Sequence, residues 1–174
     1  MTAVAIIGAG PLGRSLALRC ARAGFQVFLE DLMPANLQHA RESIVRELGP
    51  EDLPGVAFVS SIEDAVRQAD LVIDCVPDEL ESKLEILWLI DRMAPPRTVI
   101  ATPTLNLSIA DLAGCTNRPE KCLAIAAPLA NLTSGASPAL LLRAAPTTSE
   151  ETVSLVTDFF RELGLQPTVE RVSA

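Results

Sequence analysis

Short apolar runs alternate along the chain with longer segments whose apolar residues recur at helical spacing. The runs have the length and residue types of buried strands: AVAII (3–7), QVFLE (26–30), VAFV (56–59), DLVIDCV (70–76), RTVIA (97–101), CLAIA (122–126) and ALLLRA (139–144). The segments between and after them predict helices: 11–23, 34–48, 61–67, 79–93 and 149–164. This alternation predicts the α/β class, with a doubly wound, mostly parallel sheet of the Rossmann type.

Proline, glycine and serine positions agree with these boundaries. Pro11 suits a first helical turn, and Gly24 suits the position just after a helix end. Ser149 suits the N-cap of the last helix, because its hydroxyl can accept a bond from a free first-turn amide. The stretch PLANLTSGASP (128–138) is predicted as a loop. Since no linker or repeat divides the chain, we expect one domain over residues 1–174.

Composition and charge exclude several classes of function. The chain is 49% hydrophobic and 3% aromatic, so its core must be aliphatic. A net charge of -8 argues against nucleic-acid partners and a basic membrane patch, because both need clustered Lys and Arg. No apolar run is long enough to span a bilayer. Four cysteines without C-x-x-C spacing and a single histidine predict no metal site and a reducing, cytoplasmic location.

The opening segment VAIIGAGPLGRSLALRCARAG (4–24) carries a G-x-G-x-x-G pattern between the first strand and the first helix. We expect Gly8 to permit the tight turn, Gly10 to let backbone approach a pyrophosphate, and Gly13 to let the helix pack close to the strand. Free amides at the positive end of the helix would then meet phosphate oxygens. The predicted dinucleotide-binding loop is Gly8, Ala9, Gly10, Pro11, Leu12 and Gly13.

Asp31 ends the second strand and is the predicted contact to the adenosine ribose hydroxyls. Glu30 is expected to point elsewhere, because side chains alternate along a strand. At about 4 Å a 2′-phosphate would be repelled by about 4 kcal/mol at an effective dielectric of about 20. The predicted cofactor is therefore NAD and not NADP. The alternative is a tight strand-to-helix turn followed by a solvated Asp31.

Beyond the glycines, essentially the whole chain resembles the NAD-binding domain of 3-hydroxyacyl-CoA dehydrogenases. The stretches that carry the resemblance are residues 4–31, DLVIDCVPDELESK (70–83), ATPTLNLSIADLA (101–113), RPEK (118–121) and TSEETVSLVTDFFRELG (148–164). The resemblance implies that Asp78 and Lys83 complete the cofactor site, and Asn106 is expected there as well. As an alternative, Asp78 and Lys83 are ordinary solvated charges at the start of a helix.

The same resemblance leaves the chain without a predicted catalytic residue. Family members have an Asn-Thr-Ser-Ser stretch whose first serine contacts the substrate oxygen, and Leu105 stands in its place. Ala126 stands where the family has its acid/base histidine, and no acidic residue between Glu120 and Glu150 corresponds to the glutamate that orients it. Oxidation of a hydroxyl needs a group that takes the proton. The only histidine, His39, is expected on the surface of the second helix.

The family's helical domain is also expected to be absent, because the chain ends at Ala174, just after the NAD-binding part. A small-molecule or acyl-CoA substrate would then need contacts from elsewhere. The polar residues of the 128–138 loop are either such contacts or part of a solvated loop: Asn131, Thr133, Ser134 and Ser137.

Three functions stay open at this point. The chain is predicted to bind NAD(H) without chemistry of its own, as a sensor or a partner subunit. One alternative is an active NAD-dependent oxidoreductase on a hydroxyacyl-CoA or small hydroxy acid, through a partner chain or through Thr104, Asn106 and Asn131. The other is a structural protein that no longer binds the nucleotide. The retained glycines and Asp31 argue against that last reading.

Association is a separate prediction. A mean hydropathy of +0.32 predicts apolar surface hidden in a homodimer. The stretch ALLLRAAP (139–146) is the candidate interface, although its pattern is equally typical of a buried strand.

Overall fold

The computed structural model describes residues 3–48, 55–127 and 137–173. The strands are β1 (Ala3–Ile7), β2 (Gln26–Glu30), β3 (Val56–Val59), β4 (Leu71–Asp74), β5 (Val99–Pro103), β6 (Cys122–Ile125), β7 (Ala139–Ala144) and β8 (Gln166–Arg171). The helices are α1 (Pro11–Arg22), α2 (Pro34–Leu48), α3 (Ile62–Val66), α4 (Leu80–Met93), α5 (Ile109–Gly114) and α6 (Glu150–Glu162), with one 3-10 turn (Pro119–Lys121).

All described strands join one sheet in the order β3-β2-β1-β4-β5-β6-β7-β8. The strands from β3 to β6 in this order are parallel. The chain first winds outward from β1 to β3 and then returns to β4 on the other side of β1. This doubly wound sheet confirms the predicted fold class, and it places the carboxyl ends of β1, β2 and β4 side by side.

Helices cover both faces of the sheet over aliphatic cores, as the composition predicts. On one face α1, α2 and α6 pack through residues such as Leu16, Ile44 and Phe159. On the other face α3, α4 and α5 contribute residues that include Ile90 and Leu112. The helix boundaries nearly match the predicted ones, because they depend on local chemistry. Ser149 Oγ, for example, accepts a 3.1 Å bond from the Thr152 amide at the start of α6.

The sheet beyond β6 bears on two expectations. β7 runs antiparallel to β6 and parallel to β8, so both of its edges are hydrogen-bonded. Leu140, Leu142 and Ala144 on β7 are buried. The stretch 139–146 therefore begins as an internal strand with alternating buried residues, as the alternative interpretation predicts, and it has no free edge to pair with a strand of a second chain. β8 was not among the predicted strands, because its sequence QPTVER is polar and mostly exposed and has no apolar run.

The 128–138 loop is only partly described. Asn131, Thr133 and Ser134 lie outside the described residues, whereas Ser137 accepts a 3.2 Å bond from the Ala139 amide. Within the described parts of the chain, no helix has the length and apolar composition needed to cross a membrane.

Candidate functional site

The carboxyl ends of β1, β2 and β4 form a crevice where the winding of the sheet reverses. Ligands of open α/β sheets bind at such points, because the loops there diverge to opposite faces. Gly8 turns the chain out of β1 with φ +103°, a conformation that L side chains rarely adopt. A Cβ on Gly8 would also lie 3.3 Å from the Cys75 carbonyl oxygen. Gly8 is therefore required both by its own backbone conformation and by the nearby backbone of Cys75.

Gly13 and Gly10 have different reasons to lack a side chain. A Cβ on Gly13 would lie 1.8 Å from the Gly8 carbonyl oxygen, so only glycine lets α1 approach the end of β1 this closely. Gly10 has φ -68°, which any residue adopts, and a Cβ there would meet no atom within 4 Å. Packing of the chain explains Gly13. Open space above Gly10 leaves room for a ligand to approach the backbone.

The N-terminus of α1 faces this open space with unbonded amides. The helix starts at Pro11 with Gly10 as its N-cap, and no side chain caps it. Arg14 donates its amide to the Gly10 carbonyl at 2.9 Å. The Leu12 and Gly13 amides precede it and have no acceptor within the helix. Together with the positive end of the helix dipole, these amides suit a phosphate group.

Asp31 lies beside the glycine loop, directly after β2. Its Oδ2 accepts a 2.9 Å bond from the Ala9 amide, and its Oδ1 accepts a 2.8 Å bond from the Met33 amide. Asn36 donates its side-chain amide to both oxygens at 3.1 Å. Asp31 remains half-exposed. The carboxylate is thus held in one orientation at the edge of the crevice, while part of it stays accessible.

Two cavities continue the crevice on either side of the glycine loop. The first cavity has a volume of about 440 Å³, and its lining includes Gly10, Leu12, Val76, Asp78, Leu105 and Ala127. The second cavity has a volume of about 410 Å³, and its lining includes Gly8, Glu30, Asp31, Leu32, Met33 and Ile86. Gly10 and residues 75–77 line both. The two cavities therefore form one cleft across the end of α1.

Asp78, a predicted cofactor contact, lies on the wall of the first cavity. The residue is exposed, and its Oδ2 accepts a 3.0 Å bond from the Leu105 amide. This bond joins the loop after β4 to the loop after β5. Thr104 on the same wall is buried, and its hydroxyl oxygen accepts a 3.0 Å bond from the Leu107 amide. Both polar side chains hold the shape of the first cavity.

Lys83 is not the ordinary solvated charge of the alternative interpretation. It is fully buried, and its Nζ donates a 2.5 Å bond to Oδ1 of the fully buried Asp74. Lys83 lies on the buried side of α4 with Ile86 and Ile90, and it is not among the residues that line the two cavities. Burial raises the pKa of Asp74, and the Lys83 ammonium group opposes that rise. The pair joins α4 to β4, and a cofactor contact at Lys83 stays a prediction.

Asn106, another predicted cofactor contact, lies outside the first cavity. It is exposed and lines a separate depression beside Arg143 and Glu170. Leu105 and Ala127 do line the first cavity. Among the described residues of that lining, the ionisable side chains are Asp78 and Cys75, and burial raises the pKa of the Cys75 thiol.

His39 is exposed on α2, where the sequence placed it.

Glu30 was expected to point away from the site, but it lines the second cavity. Alternation along β2 does turn it to a different side from Leu29, which packs in the other core. Glu30 is 2% exposed, and its Oε1 has no hydrogen-bond partner among the described residues. Burial, and then the charge of Asp31, raise its pKa to about 7. The sequence signal that could have indicated this was a carboxyl group directly after the apolar residues 27–29 of β2.

A family model described as 3-hydroxyacyl-CoA dehydrogenase, NAD binding domain, matches residues 3–172. The chain belongs to this family. The resemblance noted in the sequence is thereby confirmed, and the cofactor of this NAD-binding domain is NAD. The match extends from β1 past the end of β8, so it includes every described strand and helix.

Similar proteins with known activities are longer than this NAD-binding domain. The chain is 33% identical over 178 residues to 5-formyl-3-hydroxy-2-methylpyridine 4-carboxylate 5-dehydrogenase of Mesorhizobium japonicum, covering 95% of this chain and 56% of that protein. It is 27% identical over 133 residues to a probable 3-hydroxybutyryl-CoA dehydrogenase of Bacillus subtilis, covering 69% of this chain and 46% of that protein. The chain thus spans about half the length of these relatives.

Solved structures give the same result for the fold. The (S)-3-hydroxybutyryl-CoA dehydrogenase of Ralstonia eutropha superposes with a TM-score of 0.88 at 25% identity, covering 99% of this chain and 64% of that one. A 5-formyl-3-hydroxy-2-methylpyridine 4-carboxylic acid 5-dehydrogenase, described as an NAD-dependent dismutase, superposes with a TM-score of 0.84 at 31% identity, covering 98% and 58%. Both neighbours contain this NAD-binding domain within a longer chain.

Proposed function

We propose that this chain binds NAD(H) across the two cavities and that its described residues do not carry out hydroxyacyl oxidation by themselves. The contrast between the two parts of the cleft carries the proposal. The glycine loop offers free amides beside open space, and Asp31 is oriented at its edge. The first cavity is lined by aliphatic Leu105 and Ala127, where the family resemblance places a serine and the neighbour of the histidine.

The cofactor would be held by the residues that converge on the end of α1. The Leu12 and Gly13 amides would bind the pyrophosphate over Gly10, since that space is open. Asp31 would bind the adenosine ribose, and its negative charge disfavours a 2′-phosphate there. Asp78 would face the nicotinamide half while its Oδ2 holds the Leu105 amide.

Proton transfer is the part that the first cavity does not supply. Bound NAD would provide a hydride acceptor, but oxidation of a hydroxyl also needs a base within hydrogen-bond reach of the substrate. The Cys75 thiol stays protonated because burial raises its pKa. Asp78 is engaged with the neighbouring loop. The described residues therefore bind and orient the cofactor, and a sensor or partner-subunit role is consistent with them.

Calorimetric titration and a turnover assay test the two halves of the proposal. NAD and NADH should each give saturable heat, and the Asp31→Ala variant should weaken both. The matched control is Asp158→Ala, which removes an exposed carboxylate on α6 that pairs with Arg161 and should bind like wild type. No heat at millimolar cofactor would contradict binding. Oxidation of NADH with acetoacetyl-CoA by the chain alone would contradict the lack of chemistry.

A second candidate is an NAD-dependent oxidoreductase that takes its acid/base group from a partner chain or from residues outside the described ones. The volume of the first cavity, about 440 Å³, favours this candidate, because pockets of roughly 300–1,000 Å³ hold small molecules. The similar proteins are named as dehydrogenases. A hydroxyacyl-CoA or a small hydroxy acid is the substrate class to test, by NADH absorbance with and without candidate partner chains. No change in NADH absorbance in any of these mixtures would exclude this candidate.

We also propose that the chain forms a homodimer and has a cytoplasmic location. Leu80, Trp88 and Met93 on α4 are 51%, 52% and 40% exposed, which provides the apolar surface that a homodimer would cover. Light scattering at increasing concentration should give the mass of two chains, and a monomer throughout would contradict the dimer.

The free cysteines, of which Cys115 is exposed, suit a reducing compartment.

A further inference from the structure

The second cavity contains a polar group that its surroundings do not explain. Its rim carries Leu32 and Met33, which are 73% and 60% exposed. Ile62 and Ile86 line it from the helices on that face of the sheet. An apolar slot of this kind suits a flat base. Glu30 lines the same slot, with its Oε1 unpartnered among the described residues.

The position of Glu30 in the sheet makes its carboxyl costly. Glu30 is paired across the sheet with Ile7 on β1 and Val59 on β3. It is 2% exposed, so neither oxygen is solvated to any useful extent. Buried polar atoms without a partner are rare in folded proteins, and one that lines a cavity needs an explanation. Leucine or valine would satisfy the fold of β2 better.

The geometry of the cleft identifies the ligand group that reaches this carboxyl. A dinucleotide with its pyrophosphate at the end of α1 places one nucleoside in each cavity, because both cavities meet at Gly10. Asp31 lies on the second cavity, so the nucleoside there is adenosine under the proposed function, on which this inference rests. A base in this cavity would lie among Leu32, residues 76–77 and Glu30, all of which line it.

We propose that the free carboxyl oxygen of Glu30 accepts a hydrogen bond from the exocyclic amine of the adenine base and thereby makes this chain selective for adenine dinucleotides. A base with a carbonyl oxygen at that position would set two acceptors against each other. Sites that leave a buried polar group unpaired reject the mismatched analogue strongly. Glu30 is thus a specificity-determining residue, in addition to the ribose contact at Asp31.

The test compares NAD with nicotinamide hypoxanthine dinucleotide, in which a carbonyl replaces the C6 amine and the neighbouring N1 carries a proton. Calorimetry at pH 8.5 keeps Glu30 ionised and therefore an acceptor only, since its pKa is about 7. The wild-type chain should bind NAD at least about tenfold more tightly than the hypoxanthine analogue, in line with a charge-assisted hydrogen bond.

Two Glu30 variants should lose this ratio in opposite ways. Glu30→Gln offers either an acceptor or a donor, so it should gain affinity for the hypoxanthine analogue while keeping NAD. Glu30→Leu has no polar atom, so it should lose affinity for NAD and bring the ratio close to one. Leu32→Ala is the matched control, because it shortens the apolar rim and should weaken both ligands equally.

The outcomes separate this inference from the proposed function. If the wild-type chain binds neither dinucleotide, NAD binding itself fails. If it binds both equally, or if Glu30→Gln keeps the wild-type ratio, NAD binding stands and the role of Glu30 is overturned. Thermal unfolding of each variant checks that it is folded, and Glu30→Gln decides the test if Glu30→Leu does not fold.

Discussion

Alanine at Gly10 and at Gly13 should separate ligand binding from folding within one loop. The two glycines are three positions apart, and each substitution adds one methyl group. At Gly13 the new Cβ would lie 1.8 Å from the Gly8 carbonyl oxygen, whereas at Gly10 it would meet nothing within 4 Å. We expect Gly13→Ala to destabilise the fold and Gly10→Ala to impair NAD binding alone.

The distances give the magnitudes. Real Cβ atoms stay at least 3.0 Å from such an oxygen, so α1 and Gly8 must separate by 3.0 - 1.8 = 1.2 Å in Gly13→Ala. Forced overpacking of this kind costs about 3 kcal/mol or more, which lowers Tm by about 6–12 °C for a domain of this size. Gly10→Ala should change stability by less than about 0.5 kcal/mol. Losing a contact to a charged phosphate costs about 1.5–3 kcal/mol, or about a 10- to 100-fold rise in Kd.

Calorimetric unfolding and NAD titration of both variants check these values. The prediction needs the two effects to fall on different residues. A Gly10→Ala variant that binds NAD like wild type would show that no phosphate approaches the backbone at Gly10. A Gly13→Ala variant that melts with wild type would show that α1 does not contact the end of β1 as closely as described.

Three other predictions concern buried charges. The pKa of Glu30 rises from 4.5 to about 7 on folding, so the folded state favours the protonated acid. The free energy of unfolding therefore falls as the pH rises from about 4.5 through about 7. At about 1.36 kcal/mol per pH unit, the loss totals about 3 kcal/mol. Glu30→Gln should therefore gain about that much relative to wild type between urea titrations at pH 4 and pH 8, and a constant difference would refute the shift. Lys83→Met should lose about 3–5 kcal/mol by leaving Asp74 buried and unpaired, and adding Asp74→Leu should restore most of it in thermal melts. Arg118→Ala should lose about 3 kcal/mol, because its guanidinium group donates to Asp91 and to carbonyl oxygens at the end of α4; Arg118→Lys, which cannot reproduce this set, should recover little.

The residues of the glycine loop could be predicted because their conformation depends on residues that are close to them in sequence. A turn with φ +103° at Gly8 and a helix that starts at Pro11 both follow from a few neighbouring residues. The same holds for Asp31, which directly follows an apolar strand. Most strand and helix positions were predicted for this reason, except α5 and β8, and the fold class followed from their alternation.

Residues whose role depends on distant parts of the chain were not predictable in this way. The sequence predicts Lys83 to be a cofactor contact or a solvated charge. Its buried ion pair with Asp74 depends on how α4 packs on β4. Asn106 lies one residue from a cavity-lining position yet faces a different depression. The antiparallel step at β7 depends on pairing with β6 and β8, which the sequence of β7 does not encode locally.

The sequence by itself determined most of the periodic elements, the position of the glycine loop and the family, because these depend on spacing along the chain. Only the tertiary structure decided which face each polar side chain occupies. Glu30 was set aside by strand alternation, and it lies on a cavity only because β1 and β3 flank it and helices cover that face. Burial arises from neighbours that are far apart in sequence, and burial is what converts an ordinary carboxyl group into one that needs a ligand.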